Sequence, residues 1–227
     1  VPTVVNAWRA TGAFEQGAEL QFVVDADDPA EDEYLNAFDL FAGSPDAQAS
    51  MHFAPSWLPL VPKLNRRAAR LASHHHYALA FMGDDHLPRT RGWVGRYLTE
   101  LREMRTGIVY GNDGFQGAKL PTQWAMTADI VRALGRMVPA DVEHMYCDNS
   151  VMDLGRAAGC LRYLPDVLVE HMHPFAGKGK LDDGYRRVNQ AAQYERDQRA
   201  YLRWRSTQLA MDAGIVRTLR EKEMARG

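Results

Sequence analysis

Tyr77–Pro88, YALAFMGDDHLP, is the stretch that most limits how this chain can fold. Tyr77 to Met82 is an apolar run with the length of a buried strand. Gly83 ends it, Asp84, Asp85 and His86 follow, and Pro88 is expected to stop the strand. Two adjacent carboxylates beside an imidazole at the end of a buried strand need compensating charge. A divalent cation supplies it, and aspartate oxygens suit Mg²⁺ or Mn²⁺. In open α/β sheets, ligands bind beyond the carboxyl ends of the strands. The competing reading is a polar turn in which Asp84 caps the next segment.

The flanking sequence alternates strands with helices. Leu20–Val24 (LQFVV) reads as a strand that ends in Asp25, Ala26, Asp27, Asp28 and Pro29. Glu31–Asn36 reads as one or two helical turns, and Ala37–Ala42 and Ala49–Ala54 as short strands around a Gly-Ser-Pro-Asp turn. Helices are expected over residues 2–11, Leu60–Ser73, Trp93–Arg105, Thr127–Arg136 and Asp148–Ala158, with Thr127 as a cap and Gly159 as a stop. Further strands are expected over Gly107–Tyr110, Gln123–Met126, Leu161–Leu164 and Val167–Glu170, the last two flanking a Pro-Asp turn. Glycine-rich Gly111–Leu120 is expected to be a mobile loop. This alternation over Leu20–Leu168 predicts an α/β domain with a largely parallel sheet. From Asp182 onward the pattern is helical. The division is a domain over residues 1–180 and a C-terminal helical appendage over 181–227.

Composition removes some alternatives. Hydrophobic residues make up 46%, enough for a core and too many for a disordered chain. The formal net charge of −2 does not mark a polyanion binder. Basic charge is local: Tyr185–Gly227 holds nine arginines and one lysine against three glutamates and two aspartates, a surplus of five. Tyr194, Tyr201 and Trp204 lie in the same segment and offer stacking surfaces for bases. The competing reading packs them against the domain. Cys147 and Cys160 have no metal spacing and form no disulfide framework, so a reducing compartment is the simpler assumption. No apolar run reaches the length of a membrane span and no signal peptide is recognisable, which gives a cytoplasmic expectation.

Four polar clusters fall at strand ends or in adjacent loops: Asp25/Asp27/Asp28, Asp84/Asp85/His86, Asp148/Asn149 and His171/His173. Together they offer carboxylates and an imidazole for a metal, and a spare carboxylate for acid–base work. His171 and His173 alternate along an extended segment, so at most one is expected at a shared metal. His74-His75-His76 precedes a strand and reads as a helix end. Gly111–Lys119 lacks the GxxxxGK[ST] order of a P-loop. Trp124 reads either as a sugar-stacking wall or as a core residue.

The order of these segments resembles a family 2-type glycosyltransferase of the GT-A fold, a Rossmann-like, mostly parallel mixed sheet flanked by helices. The resemblance runs from Leu20 to Lys180. FVVDADDP at Phe22–Pro29 resembles the acidic strand end that holds the nucleotide base, which implicates Asp25 and Asp27. LNRRAAR at Leu64–Arg70 resembles the helix flanking the nucleotide, with Asn65, Arg66 and Arg70. FMGDDH at Phe81–His86 resembles the DxD motif, although its first acid is missing if Asp85 takes the third position. Asp85 is therefore given the metal role and Asp84 a contact to ribose or metal. CDNSVMDLGRAAG at Cys147–Gly159 resembles the helix that carries the catalytic base of inverting members, here Asp148. VEHMHP at Val169–Pro174 resembles the strand-end histidine that completes the metal site, here His171. Lys178, in Gly177-Lys178-Gly179-Lys180, would close over a diphosphate. The family's opening strand has no counterpart before Val1, so either it lies outside this chain or the sheet is completed differently.

The resemblance implies metal-dependent transfer of a sugar from a nucleotide-diphosphate sugar, a UDP-sugar being favoured, to an acceptor hydroxyl. Mn²⁺ or Mg²⁺ would act as Lewis acid on the diphosphate leaving group, aided by Arg66 or Arg70. The sugar would pass through an oxocarbenium-like state, with Asp148 as base in an inverting enzyme. In a retaining one Asp148 would only orient the acceptor. The start of its helix is expected to favour the ionised form. A glycan, a small molecule or a modified nucleic acid are all open as acceptor, as is homo-oligomerisation. The alternative is a nucleic-acid-associated protein using the basic C-terminal helices, including sugar transfer onto DNA. A nucleotidyltransferase would want a glycine-rich basic loop right after the first strand, and none is present.

Overall fold

The computed structural model describes residues 1–39, 48–179 and 189–226. Its layering follows from the alternation of side chains along two central strands, β5 (Ile108–Asn112) and β6 (Trp124–Thr127). Ile108, Tyr110, Trp124 and Met126 enter one core, and Val109 and Ala125 enter another on the opposite face. With β3 (Ala78–Phe81), β4 (His86–Pro88) and β7 (Leu161–His171) they form a five-stranded sheet in the order β3-β6-β5-β7-β4. Helices α3 (Leu60–Ala72), α5 (Ala128–Leu134), α6 (Cys147–Ala157), α7 (Ala191–Thr207) and α8 (Leu209–Ala225) cover the first face. Helices α1 (Pro2–Ala10) and α4 (Trp93–Met104) cover the second with Val5, Trp8, Trp93 and Leu101. A separate parallel pair, β1 (Leu20–Asp25) and β2 (Ala49–Ala54), is joined through α2 (Glu31–Asp39). The chain is thus an α/β protein with mixed sheets flanked by helices and a helical C-terminal part.

The sheet is not largely parallel. Within the five strands only β5 and β7 run parallel, and β3/β6, β5/β6 and β4/β7 are antiparallel. Parallel neighbours need a crossover, whereas β5 and β6 are joined by the loop over residues 113–123, which holds one short 3₁₀ turn and turns the chain back. Pro88 does not stop pairing. It lies in β4, at the sheet edge, where a missing N–H is tolerated. Pro165-Asp166 does not separate two strands, because β7 is continuous and the pair forms a bulge. Its register jumps from Gly111↔Leu164 to Asn112↔Leu168. Gly111 is needed there, since a Cβ would sit 2.5 Å from the Val167 carbonyl oxygen. Ala37–Asp39 continue α2 rather than starting a strand, and the rest of that expected strand and its turn lie outside the described residues. So does the boundary at 180/181.

Because β6 runs antiparallel between β3 and β5, the strands β3, β5 and β7 all point the same way. Their carboxyl ends finish at one end of the sheet, where Asp85 and Asp113 follow β3 and β5 and His171 is the last residue of β7.

Helices α7 and α8 share the main core. Tyr201, Trp204, Ala213 and Val216 are buried with Ile108 and Met126. Asp197, fully buried, accepts the backbone N–H groups of Glu143, His144 and Met145 at 3.0, 3.0 and 2.7 Å. Asp212 accepts from Trp204 Nε1 at 2.8 Å and pairs with Arg136 at 2.6 Å. Asp197→Ala would remove the acceptor of three half-buried N–H donors, so urea unfolding should show a loss of about 3 kcal/mol. Arg199→Ala, on the exposed side of α7, should stay within about 0.5 kcal/mol of wild type.

Candidate metal centre and acid–base site

The antiparallel register of β4 and β7 sets His86 opposite His171. Residues opposite each other share a sheet face, and the two rings stack with centroids 4.1 Å apart and planes 24° apart. Asp85 reaches both from the turn before β4. Its Oδ2 accepts from His171 Nε2 at 3.0 Å, and its Oδ1 lies 3.1 Å from His86 Nδ1. Met172 N–H binds the Asp85 carbonyl at 2.8 Å and fixes the turn against β7. Gly83 makes room, since a Cβ there would stand 2.7 Å from Asp85 Oδ1 and 3.0 Å from His86 Nδ1. One ligand atom from each of Asp85, His86 and His171 falls within 4.8 Å of the others.

The donor set fits a divalent cation. Buried His86 has no hydrogen-bond partner at Nδ1, although that atom faces a carboxylate oxygen. Burial lowers the His86 pKa and keeps the ring neutral. Burial also works against charge on His171, but the Asp113 and Asp85 carboxylates outweigh it and raise its pKa to about 9. Burial alone would raise Asp85, yet the imidazoles of His171 and His86 hold it well below the usual carboxylate range.

Asp113 was not singled out from the sequence. It is buried at the end of β5. Its Oδ1 accepts the N–H groups of Phe115, Gln116 and Gly117 at 2.9, 2.7 and 2.8 Å. The glycine-rich loop is therefore pinned rather than loose. GIVYGNDG repeats the pattern of apolar strand, acid and glycine that marked Asp85, and that signal would have found it.

Asp148 lies in the first turn of α6, accepts the N–H of Asn149 at 2.8 Å and lies close enough to His171 for their charges to interact. Burial pushes its pKa up to about 6. The expected preference for the ionised form from the helix start is therefore outweighed by desolvation. A carboxyl tuned to the neutral range beside a candidate metal site suits acid–base work. The residue before the helix, Tyr146, has φ 64° and stacks on Tyr201 at 5.1 Å.

The other expected residues separate. Asp84 is exposed and outside the triad. His173 packs on Phe115 at 5.1 Å, so His171 is the histidine of the triad. Asp25 and Asp27 lie at the ends of β1 and β2, where Lys63 pairs with Asp25 and Ser56 Oγ donates to Asp27 at 2.7 Å. Asn65, expected at the nucleotide, donates from Nδ2 to the Val138 carbonyl at 2.8 Å. Its Oδ1 accepts from Met137 and Val138 N–H, so its amide is committed to the fold. Arg66 and Arg70 are exposed. Lys178 pairs with Glu170 at 2.7 Å. Trp124 is a core residue, fully buried. Thr127 sits at the cap position, but its hydroxyl accepts from Gly107 N–H instead. Several C-terminal arginines hold the helices in place: Arg205 pairs with Asp153, Arg196 with Glu143, and Arg217 and Arg220 donate to the Ala157 and Gly159 carbonyls. Tyr201 and Trp204 are buried and cannot stack on bases. Among the described residues no helix is long and apolar enough to cross a membrane.

A folded pKa of about 6 for Asp148, against about 3.9 in an unfolded chain, destabilises the protein wherever the group is ionised when folded. That penalty is full above the folded pKa and vanishes below the unfolded one. Asp148→Asn should therefore raise Tm by several degrees at pH 8, the gain shrinking as pH falls and disappearing near pH 4. Thermal melts across that range check it.

No protein-family model matches this chain, and no curated protein matches it.

Proposed function

We propose that this chain is a metal-dependent glycosyltransferase of the GT-A type, moving a sugar from a nucleotide-diphosphate sugar to an acceptor hydroxyl. One observation carries the reading: Asp85, His86 and His171 converge where three co-directed strands end, and Asp148, raised to about 6, is electrostatically coupled to that point. Asp85 and the two imidazoles would hold a divalent cation, which when bound supplies Lewis-acid stabilisation of the diphosphate leaving group. Imidazole ligands favour Mn²⁺ over Mg²⁺. Asp148 would accept the proton of the acceptor hydroxyl as its oxygen bonds to the anomeric carbon and the carbon–phosphate oxygen bond breaks. Asp25 and Asp27, with the 76% exposed Trp57 two residues beyond Pro55, would face the nucleotide base, a UDP-sugar being the favoured donor. The basic C-terminal helices gain no separate nucleic-acid role here, because their central aromatics and several arginines are committed to the fold.

The test is a thermal-shift series with nucleotide diphosphates and nucleotide-sugars, with and without Mn²⁺. A metal-dependent rise of several degrees with one nucleotide, lost in Asp85→Ala, is expected. Four of the five tryptophans are buried, so the same nucleotide should quench the emission of Trp57, and Trp57→Phe should abolish the quenching. Failure of every nucleotide to shift the melt in the presence of Mn²⁺ would count decisively against the reading.

Mn²⁺ must displace a proton from His171, whose pKa is about 9. Mn²⁺ affinity should therefore climb with pH and level off only above that value, by about tenfold per unit below it, in a calorimetric titration.

A further inference from the structure

The connection from α4 to β5 is strained, and an arginine sits at the point of strain. Arg105 has φ 65° and ψ −55°, and the Thr106 N–H bonds the Met104 carbonyl across it at 2.8 Å. This is a γ-turn with a positive φ at its centre, a rare and costly conformation. Glycine adopts it without the Cβ penalty. The neighbours hold the turn in place: Thr106 Oγ1 donates to Asp129 Oδ2 at 2.6 Å, and Gly107 N–H donates to Thr127 Oγ1 at 3.2 Å. Backbone strain that the surroundings enforce concentrates at functional sites.

Arg105 lines an open cleft of about 700 Å³ with Tyr77, Thr99, Arg102, Glu103 and Glu223. That volume lies in the range of small-molecule sites. Tyr77 precedes β3 and Arg105 precedes β5, so the cleft is at the end of the sheet opposite the Asp85 triad. Both acids of the cleft are already paired, Glu103 with Arg162 at 3.0 Å and Glu223 with Arg226 at 2.6 Å. Among the described residues neither Arg102 nor Arg105 forms an ion pair or a side-chain hydrogen bond. Arg102 stands over the Tyr77 ring, 5.8 Å from its centroid, and the ring steadies the guanidinium. Both arginines act on the charge of the Tyr77 hydroxyl, which sets the three groups around one space. A simpler role, offsetting the dipole at the end of α4, accounts for Arg102. It does not account for an arginine in a conformation that glycine adopts at lower cost.

We propose that this cleft binds a phosphate monoester, with Arg102 and Arg105 clamping the dianion and Tyr77 and Thr99 facing the esterified group. Two guanidiniums match the charge of the dianion, and their planar forks match its oxygens. The cleft is larger than a phosphate and takes the esterified group as well. The site is separate from the proposed transferase chemistry and does not rest on it.

Thermal melts and calorimetry on the full chain test this at fixed ionic strength and without Mn²⁺, using glucose 6-phosphate and glucose as probes. Glucose 6-phosphate should raise Tm by a few degrees, and glucose should not. Arg102→Gln and Arg105→Gly should each weaken glucose 6-phosphate by about tenfold or more. Arg105→Gly should nonetheless melt no lower than wild type without ligand, because the strain is gone, so loss of fold does not explain its loss of binding. Asp85→Ala should bind the ester as wild type does, which separates this cleft from the candidate metal centre. Co-sedimentation with phosphatidylcholine vesicles, with and without phosphatidic acid, identifies the source of the phosphate. Binding only to the phosphatidic acid vesicles, lost in both arginine variants, would make the ester a lipid headgroup, whereas binding of glucose 6-phosphate makes it a soluble one. If neither probe binds, or if both arginine variants bind like wild type, the proposal is overturned.

Discussion

The pairing of β4 with β7 is the constraint on which the site depends. Its register puts His86 opposite His171, and antiparallel partners share a face, so two imidazoles stack where Asp85 arrives from the preceding turn. A slip of one residue would send one ring to the other side of the sheet. The bulge at Pro165-Asp166 lets β7 serve both neighbours, running parallel to β5 and antiparallel to β4. Gly83 supplies room beside Asp85 and His86, and Gly111 beside the Val167 carbonyl.

Carboxylates in this protein meet different fates, and environment decides each. Asp113 and Asp197 are ringed by backbone N–H donors and act as anchors for loops. Asp212 answers Arg136 and the Trp204 indole. Asp85 is held charged by two imidazoles. Asp148 has the fewest compensating partners and is pushed towards its protonated form. Residue type alone would have treated these groups as equals. The number of donors around each one separates a structural anchor from a candidate metal ligand and a candidate base.

The C-terminal helices bear on the same site. Asp197 fixes the backbone of Glu143–Met145, Tyr201 stacks on Tyr146, and Tyr146 carries the left-handed turn that opens the helix of Asp148. Residues with φ above zero cost energy and persist when their surroundings over-determine them. The helical end of the chain is therefore part of what places Asp148, as well as part of the core.

Much of this was legible in the sequence. Apolar runs located β1, β2, β3, β5, β6 and most of β7, because burial imposes a pattern on the chain, and the expected helices, two of them marked by Thr127 and Gly159, fall on α1, α3, α4, α5 and α6. Acids and histidines at strand ends marked Asp85, His171 and Asp148, since a sheet gathers its carboxyl ends. What the sequence did not determine were the partners. Strand direction failed because it depends on whether a connection crosses the sheet or turns back, which the β5–β6 loop settles only in three dimensions. Asn65 looked free to bind a ligand until its amide met the Met137–Val138 backbone, and Asp113 stood out only once the fold set His171 and Thr122 beside it. The sequence by itself determined which segments bury and which residues carry charge. Only the tertiary structure decided which charges face one another, because contacts between residues distant in the chain leave no local period to read.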